Sequence, residues 1–576
     1  MNDRARKRRE RIVLGLLLVA GLAVTTRLVE LQVREHDAWL ARARSLAEER
    51  VEIPGPRGTI VDRRGRVLAV SVPDRVLDVE PVKISPRGLA ALERAAGCRT
   101  GHLVRHARAA WRLATRHCDG RCVERVERLV ERGLVPRDAI HWARGFARRY
   151  PHGSLAAHVL GFVTLDGRSA EGVEQRYGDF LRSRGTTLRR LRVCRHQPIL
   201  EEREGTTRPP SALMLTLDTR IQETLEEALD DAIREHGARG ARGVVLDPWT
   251  GDVLALASRP AFDPNRFWKS PAEAHRNAVI ERPYEPGSVM KPMTAAVLLA
   301  AGVVREKDTV DCEGGRWRVG RRFLHDHHPW ARLTLRQVIE VSSNIGIAKF
   351  ARRVDPGVLW RGLRRLGFGQ RTGIDLPAES PGSLVPPSAW RGTDRDVVAF
   401  GHRMTATTLQ VARAYATIAN GGFLVTPRVA RALGDPDGGW HPRALAPPRR
   451  VLAPGVARRL ARWLTGPIEG EHGTAPRAAL AGWRVAGKTG TAEKLVAGRY
   501  DRGKNIVTFA GFAPLEHPRV VVVVTIDEPT RGGRTAGAVA APVFARVTRE
   551  ALRLLRVPAD PERLLVTGSP SRGGQG

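Results

Sequence analysis

Hydrophobic and polar positions separate first at the N-terminus. Arg4, Arg6, Lys7, Arg8, Arg9 and Arg11 precede an uncharged apolar run from Ile12 to Thr26. That run is shorter than the roughly 20 residues a spanning helix needs. Continued to Val33 it admits only Arg27 and Glu30, which stand three apart and can pair on a helix surface or reach the interface. The pattern predicts one membrane-spanning helix over 12–33, with the basic tail 1–11 on the cytoplasmic side. A cleaved signal peptide, with Gly21 and Ala23 as small residues near a cut, is the competing reading. The apolar pattern runs on past that point and favours a retained anchor.

Beyond the anchor the periods shorten. Thr59–Val61 and Val67–Val72 alternate around a turn at Asp62–Gly65 and read as two short strands. Residues 84–147, rich in Arg, Ala and Leu, carry helical spacing. A mixed, extended module over 34–215 is the expectation, closing in a Pro-rich passage at 207–210. A second unit over 216–556 opens with the amphipathic "LTLDTRIQETLEEALDDAIREHG" and a hairpin at 243–258 around Asp247–Gly251. Far downstream, "GWRVAGKTGTAEK", "NIVTFAGFAP" and "RVVVVVTIDEP" read as three successive antiparallel strands, and "APVFARVTREALRLL" as a helix. Between them, 260 to about 480 reads as mostly helical with Gly/Pro loops. Strands at both ends of a unit with helices between predict an α+β fold, one antiparallel sheet flanked by a helical subdomain. The Gly/Ser/Pro-rich tail, 557–576, reads as disordered.

At 576 residues the chain is long enough for two or three domains. Its net charge of +34 is nearly all arginine, spread along the length. Such a surface attracts nucleic acid, anionic lipid or phosphorylated substrates. No helix-turn-helix, zinc-finger or aromatic RNA-binding pattern accompanies it, so no nucleic-acid partner is expected. Of the five cysteines, Cys118 and Cys122, with His117 adjacent, could form a local disulfide, half a metal site, or stay unpaired. In "FLHDHHPW", His325, Asp326, His327 and His328 invite a metal reading. Consecutive residues seldom converge on one ion, so the stretch is read as a polar loop at a site's rim. No metal and no cofactor is expected.

The candidate chemistry starts at "YEPGSVMKPMTAAVLLAAG" (284–302). Pro286 and Gly287 stop what precedes, and Pro292 is tolerable only within the first helical turn, so a helix must begin near Ser288. Lys291 then follows one turn on, facing the same way. A serine hydroxyl needs a base, and a lysine serves only when neutral, which burial or a second cation would bring about. Ser342-Ser343-Asn344 interrupts a helical pattern, setting a hydroxyl and an amide two apart at a kink. Lys488-Thr489-Gly490-Thr491 lies on the first of the late strands, where Gly490 would let a ligand approach the backbone. A free strand edge can pair with an extended peptide, Lys488 and the threonine hydroxyls can grip a carboxylate, and a backbone N–H can hold an oxyanion. Every part of an acyl-transfer site is then present.

The ordered trio S-x-x-K, S-x-N and K-T-G is shared by penicillin-binding proteins and class A β-lactamases. From the anchor to about residue 556 the chain resembles the class B penicillin-binding proteins, above all those of septal division. "RGTIVDRRG", "RRYPHGSLAAHVLGF", "GVVLDPWTGDVLALASRPAFDPN", "YEPGSVMKP", "SSN", "TGIDLPAES", "YATIANGG", "GKTGTAEK" and "GGRTAGAVAAPVF" carry the likeness. The resemblance implies a penicillin-binding, serine β-lactamase-like transpeptidase domain on a mixed pedestal with one transmembrane helix. It implies Ser288 as acylated nucleophile, Lys291 as its general base and Ser342 as a proton relay. Asn344 would bind the substrate's peptide amide, and Lys488, Thr489, Gly490 and Thr491 would form the wall for its carboxylate and oxyanion. The implied substrates are peptidoglycan stem peptides ending in D-Ala-D-Ala, with β-lactams as mimics. A polytopic glycosyltransferase and other divisome proteins are the implied partners, in a cell inner membrane with the catalytic domain periplasmic. An elongation-type enzyme, a β-lactamase and a non-catalytic division scaffold are the competing readings. Two departures stand out: Gly401-His402-Arg403 where the family has Gly-Tyr-Gly, and a segment 188–206 without the family's D-x-x-G turn.

Overall fold

The computed structural model describes residues 3–566 apart from 54, 98–100, 109–111, 165–166, 184–185, 195–196, 205–209, 321 and 497–498. Contacts divide the chain into two units, 1–56 with 183–209, and 57–182 with 210–576.

In the first unit a helix begins at Asp3 and continues through a π-helical turn at Glu30–Arg34. Lys7–Arg34 is the one helix among the described residues long and apolar enough to cross a membrane. Arg27 Nη1 donates to Glu30 Oε2 at 2.6 Å, the pairing their spacing predicts. Helix His36–Ala47 follows, and Glu48–Ile53, Thr186–Cys194 and Gln197–Glu204 form a three-stranded antiparallel sheet.

The second unit is organised by a five-stranded antiparallel sheet in the order Val253–Arg259, Gly240–Leu246, Val520–Asp527, Arg499–Ala513, Ala486–Val496. Two of its strands come from one end of the domain and three from the other, as the sequence pattern predicts. Gly240–Leu246 is buried at every position, and Val520–Asp527 at all but its last residue, because helices cover both faces. Thr219–His236 and Ala536–Leu554 lie against one face, with Leu225, Leu229, Val539 and Phe544 in the same core as Val522 and Phe509. On the other face, Val244 and Val523 join the core of the helical subdomain with Met293 and Leu409. Ala486–Val496 is left as an edge strand.

A second sheet departs from the periodicity reading. The strand expected over Val67–Val72 runs on to Val79, and pairs with Arg112–Cys118 and Ile140–Arg149. Residues 84–147, expected to be helical, therefore combine helices Pro86–Ala96 and Gly120–Glu131 with the strand Arg112–Cys118 and most of Ile140–Arg149. "RLATRHC" and "IHWARGFARR" have no strand-like alternation; pairing to a long neighbour decides them. Cys118 and Cys122 are joined in a disulfide, Cys312 is a buried free thiol, and Cys98 lies outside the described residues. Of the tail expected to be disordered, Pro561–Val566 is a short helix, and 567–576 lie outside the described residues.

Candidate active site

Gly287–Met290 forms a 3-10 turn leading into helix Lys291–Ala300, with Pro292 in its first turn. The helix is apolar on all sides and buried from Lys291 through Leu299, so the lysine at its start is carried inside and is 0% exposed. Tyr415 Oη donates to the Val289 carbonyl at 3.0 Å and holds the turn from below.

Ser342 ends helix Leu335–Val341 with φ +64° and ψ +37°, a left-handed conformation strained for any residue with a Cβ. That strain turns Ser342 toward the lysine: Lys291 Nζ donates to the Ser342 carbonyl at 2.5 Å and to its Oγ at 3.1 Å. Ser343 caps the next helix, Asn344–Ala351, accepting from the Gly346 N–H at 2.8 Å. Asn344 Nδ2 donates to the His325 carbonyl at 3.0 Å.

The edge strand Ala486–Val496 passes the serine turn. Gly490 stands where strand and turn are in close contact. A Cβ there would lie 2.8 Å from the Pro286 carbonyl oxygen and 2.9 Å from Val289 Cγ1, so the glycine lets the strand close on the turn. Lys488 is 0% exposed rather than presented to a ligand; its Nζ donates to the Thr489 carbonyl at 3.3 Å and Oγ1 at 3.1 Å. Thr489 Oγ1 shares a further hydrogen bond with Thr474 Oγ1 at 2.8 Å.

Ser288, Ser342, Thr489 and Thr491 line one cleft of about 880 Å³, with His327 and His328 among the rim residues. Asn344 lines a neighbouring cleft of about 1150 Å³. Lys291 and Lys488 are buried and line neither. Burial lowers the proton affinity of both lysines. For Lys291 it brings the pKa to about 7, with the Asp326 carboxylate acting in the opposite sense. For Lys488 burial comes first and the charge of Lys291 second, and together they hold it well below the usual range. Two cations that repel through a dry interior titrate as a pair, and one proton on either raises the cost of a second. A lysine whose proton affinity is lowered in this way is suited to take the proton of a serine nucleophile.

Two groups escape a motif-based reading. Asp326, read above as part of a polar rim loop, has its oxygens occupied: Oδ2 accepts from Ser343 Oγ at 2.5 Å, and Oδ1 from the N–H groups of Asn344 at 2.5 Å and Ile345 at 3.0 Å. It thus fixes the turn carrying Ser342 and Asn344. Among the described residues no three His, Cys, Asp or Glu side chains are grouped to hold a metal ion. The second is Glu285, directly ahead of Pro286-Gly287-Ser288. Tyr500 Oη donates to both of its oxygens at 3.0 Å, the Arg403 N–H to Oε1 at 3.0 Å, and His402 Nδ1 lies 2.9 Å from Oε2. The unusual His402-Arg403 pair is thereby tied to the base of the serine turn. Gly401, at φ +86°, permits this, since a Cβ there would meet the Gly287 carbonyl oxygen at 2.4 Å.

A model of the penicillin-binding protein transpeptidase domain matches residues 242–549. Over 97% of its length the chain is 31% identical to a probable peptidoglycan D,D-transpeptidase, PbpC, of Pseudomonas aeruginosa, of which 97% is covered. It is 30% identical over 95% of its length to the peptidoglycan D,D-transpeptidase FtsI of Escherichia coli, of which 92% is covered. The fold is similar to that of penicillin-binding protein 3 of Mycobacterium tuberculosis, crystallised with aztreonam, at a TM-score of 0.69 and 28% identity over 89% of this chain and 98% of that one.

Proposed function

The chain belongs to the class B penicillin-binding protein transpeptidase family, and on that premise we propose that Ser288 is the nucleophile of a septal peptidoglycan D,D-transpeptidase. The observation that carries the reading is the fully buried Lys291, one turn after Ser288, with its Nζ on Ser342 Oγ.

Neutral Lys291 takes the hydroxyl proton as Ser288 Oγ attacks the carbonyl of the penultimate D-alanine of a stem peptide. The tetrahedral intermediate collapses by breaking the peptide bond. The proton passes through Ser342 Oγ to the departing amine, and D-alanine leaves. An amine from a neighbouring stem then attacks the acyl-enzyme, gives up its proton along the same route, and releases Ser288 as the cross-link forms. Asn344 holds the donor peptide's amide. Thr489 and Thr491 receive its terminal carboxylate, with Lys488 Nζ holding Thr489 Oγ1 from beneath and Gly490 keeping the strand against the serine turn. A β-lactam mimics the dipeptide and leaves Ser288 acylated.

The apolar N-terminal helix serves as a single-pass anchor, with the basic residues before it in the cytoplasm and the transpeptidase domain in the periplasm. A polytopic glycosyltransferase supplies the nascent strands, and other divisome proteins meet the anchor and pedestal. The test is covalent labelling of the full-length protein by a fluorescent penicillin. A stable adduct on Ser288, lost in Ser288→Ala, is expected, and a rapidly released adduct would favour a β-lactamase. In cells, a Ser288→Ala sole copy should block septation and give filaments, whereas rounded cells would favour an elongation enzyme.

A further inference from the structure

Outside the catalytic cleft, a cavity of about 600 Å³ lies where strand Ile140–Arg149 and helix Gly120–Glu131 meet the segment Pro264–Lys269. Its charged wall is one-sided. Arg125, Arg148, Arg149, Arg266 and Lys269 line it, against a single acid, Asp119, whose carboxylate is engaged in capping the helix through the Cys122 N–H at 2.8 Å. Neither Arg266 nor Lys269 is paired with an acid among the described residues, and Arg149 reaches Asp74 only at 4.0 Å.

The floor of the cavity carries an uncompensated charge. Arg148 is 8% exposed and Glu174 0%. Arg148 Nε donates to Glu174 Oε1 at 2.6 Å while Arg57 Nη2 donates to Oε2 at 2.8 Å, so two guanidiniums share one buried carboxylate. Arg148 Nη2 has no hydrogen-bond partner. The network keeps a net positive charge directly beneath a basic cavity, which favours an anion there. Beside it, Trp268 is 53% exposed, and Phe267 is fixed by stacking on Phe162 at 4.3 Å. An open indole next to a guanidinium cluster offers a flat apolar platform and a fork for an oxyanion. The Cys118–Cys122 disulfide pins the start of the helix that presents Arg125 one turn later.

We infer that this cavity is a second ligand site, separate from the Ser288 cleft, for an acidic saccharide: the sugar ring lies on Trp268 and its carboxylate or phosphate is held by Arg266 and Lys269 above the Arg148 charge. The site does not depend on the catalytic reading of Ser288.

Isothermal titration of the full-length protein in neutral detergent tests it, with four probes: a muramyl dipeptide, glucose 1-phosphate, N-acetylglucosamine and inorganic phosphate. Saturable binding of one of the first two is expected, and whichever binds more tightly identifies the acid. Arg266→Glu and Lys269→Glu, both at exposed positions, should each weaken it at least about tenfold, the loss of one charge-assisted contact. Trp268→Ala should weaken it as well, while penicillin labelling of Ser288 stays unchanged in all three. Arg148→Met also tests the floor, but its ion network is buried, so the surface variants carry the decision. The proposal is overturned if no acidic saccharide binds, if the charge reversals leave binding unchanged, if N-acetylglucosamine binds equally well, or if inorganic phosphate alone matches the sugar phosphate.

Discussion

Lys291 shows how a single residue's surroundings set its chemistry. Its pKa of about 7 arises from burial, with Asp326 opposing. The amine acts as a base only when unprotonated. The acylation rate should therefore rise by about tenfold per pH unit below pH 7 and level off above it, as one proton leaves. Stopped-flow penicillin acylation over about 3.5 pH units spanning pH 7 measures this, and a flat profile would remove Lys291 from the role of base. Asp326 offers a sharper test because its effects run in two directions. Asp326→Asn withdraws the negative charge that supports protonated Lys291, so the profile's midpoint should move to lower pH. It also weakens the cap on Ser343, Asn344 and Ile345, costing about 1–2 kcal/mol of stability. Slower acylation with an unmoved midpoint would leave Asp326 with structure alone. The Ser288, Ser342 and Lys488 motifs were legible in the sequence because each is local. Asp326 was not, because its partners lie 17 to 19 residues away and its setting among three histidines looks like a different chemistry.

Elements were legible where one neighbour or one face decides them. The late strands and the hairpin before them form a continuous apolar pattern, and their sheet follows from both ends of the domain. The strands Arg112–Cys118 and Ile140–Arg149 were not legible, since Arg-rich segments acquire strand geometry only by pairing with Val67–Val79. The edge strand Ala486–Val496 was legible as an edge, but the packing against its glycine was not, because the turn that crowds Gly490 comes from some 200 residues earlier. That contact yields a prediction at the scale of elements. In Gly490→Ala the new methyl meets backbone at Pro286 and a packed valine, neither of which can yield by rotation, so the strand and the serine turn must part. A loss of about 1–3 kcal/mol is expected, together with a fall in acylation rate far exceeding that of Thr491→Ala. Denaturant melts alongside penicillin labelling separate the two quantities. Wild-type labelling in Gly490→Ala would mean that strand and turn need not touch for the serine to react.

At the scale of the whole molecule, the joints between distant segments matter most, and these are invisible to any local pattern. Arg57, Arg148 and Glu174 come from a turn after the anchor, a strand and a short helix, and meet in one buried ion network separated in sequence by up to 117 residues. Asp62 does similar work, accepting from Thr219 Oγ1 at 2.6 Å and so tying the turn between strands Ile60–Val61 and Val67–Val79 to helix Thr219–His236. The ion network is the more consequential joint, because among the described residues Glu174 is the one carboxylate paired with both buried guanidiniums. Replacing it leaves two buried like charges side by side, which costs more than the hydrogen bonds themselves. Glu174→Gln, similar in shape but neutral, is therefore expected to lose about 3–5 kcal/mol in reversible unfolding. None of the three residues lines the Ser288 cleft, so penicillin acylation per folded molecule should be unchanged. Differential scanning calorimetry with labelling at a temperature well below the transition measures both. A full loss of labelling at wild-type stability would show instead that this joint transmits to the catalytic cleft and acts on the chemistry, not only on the fold.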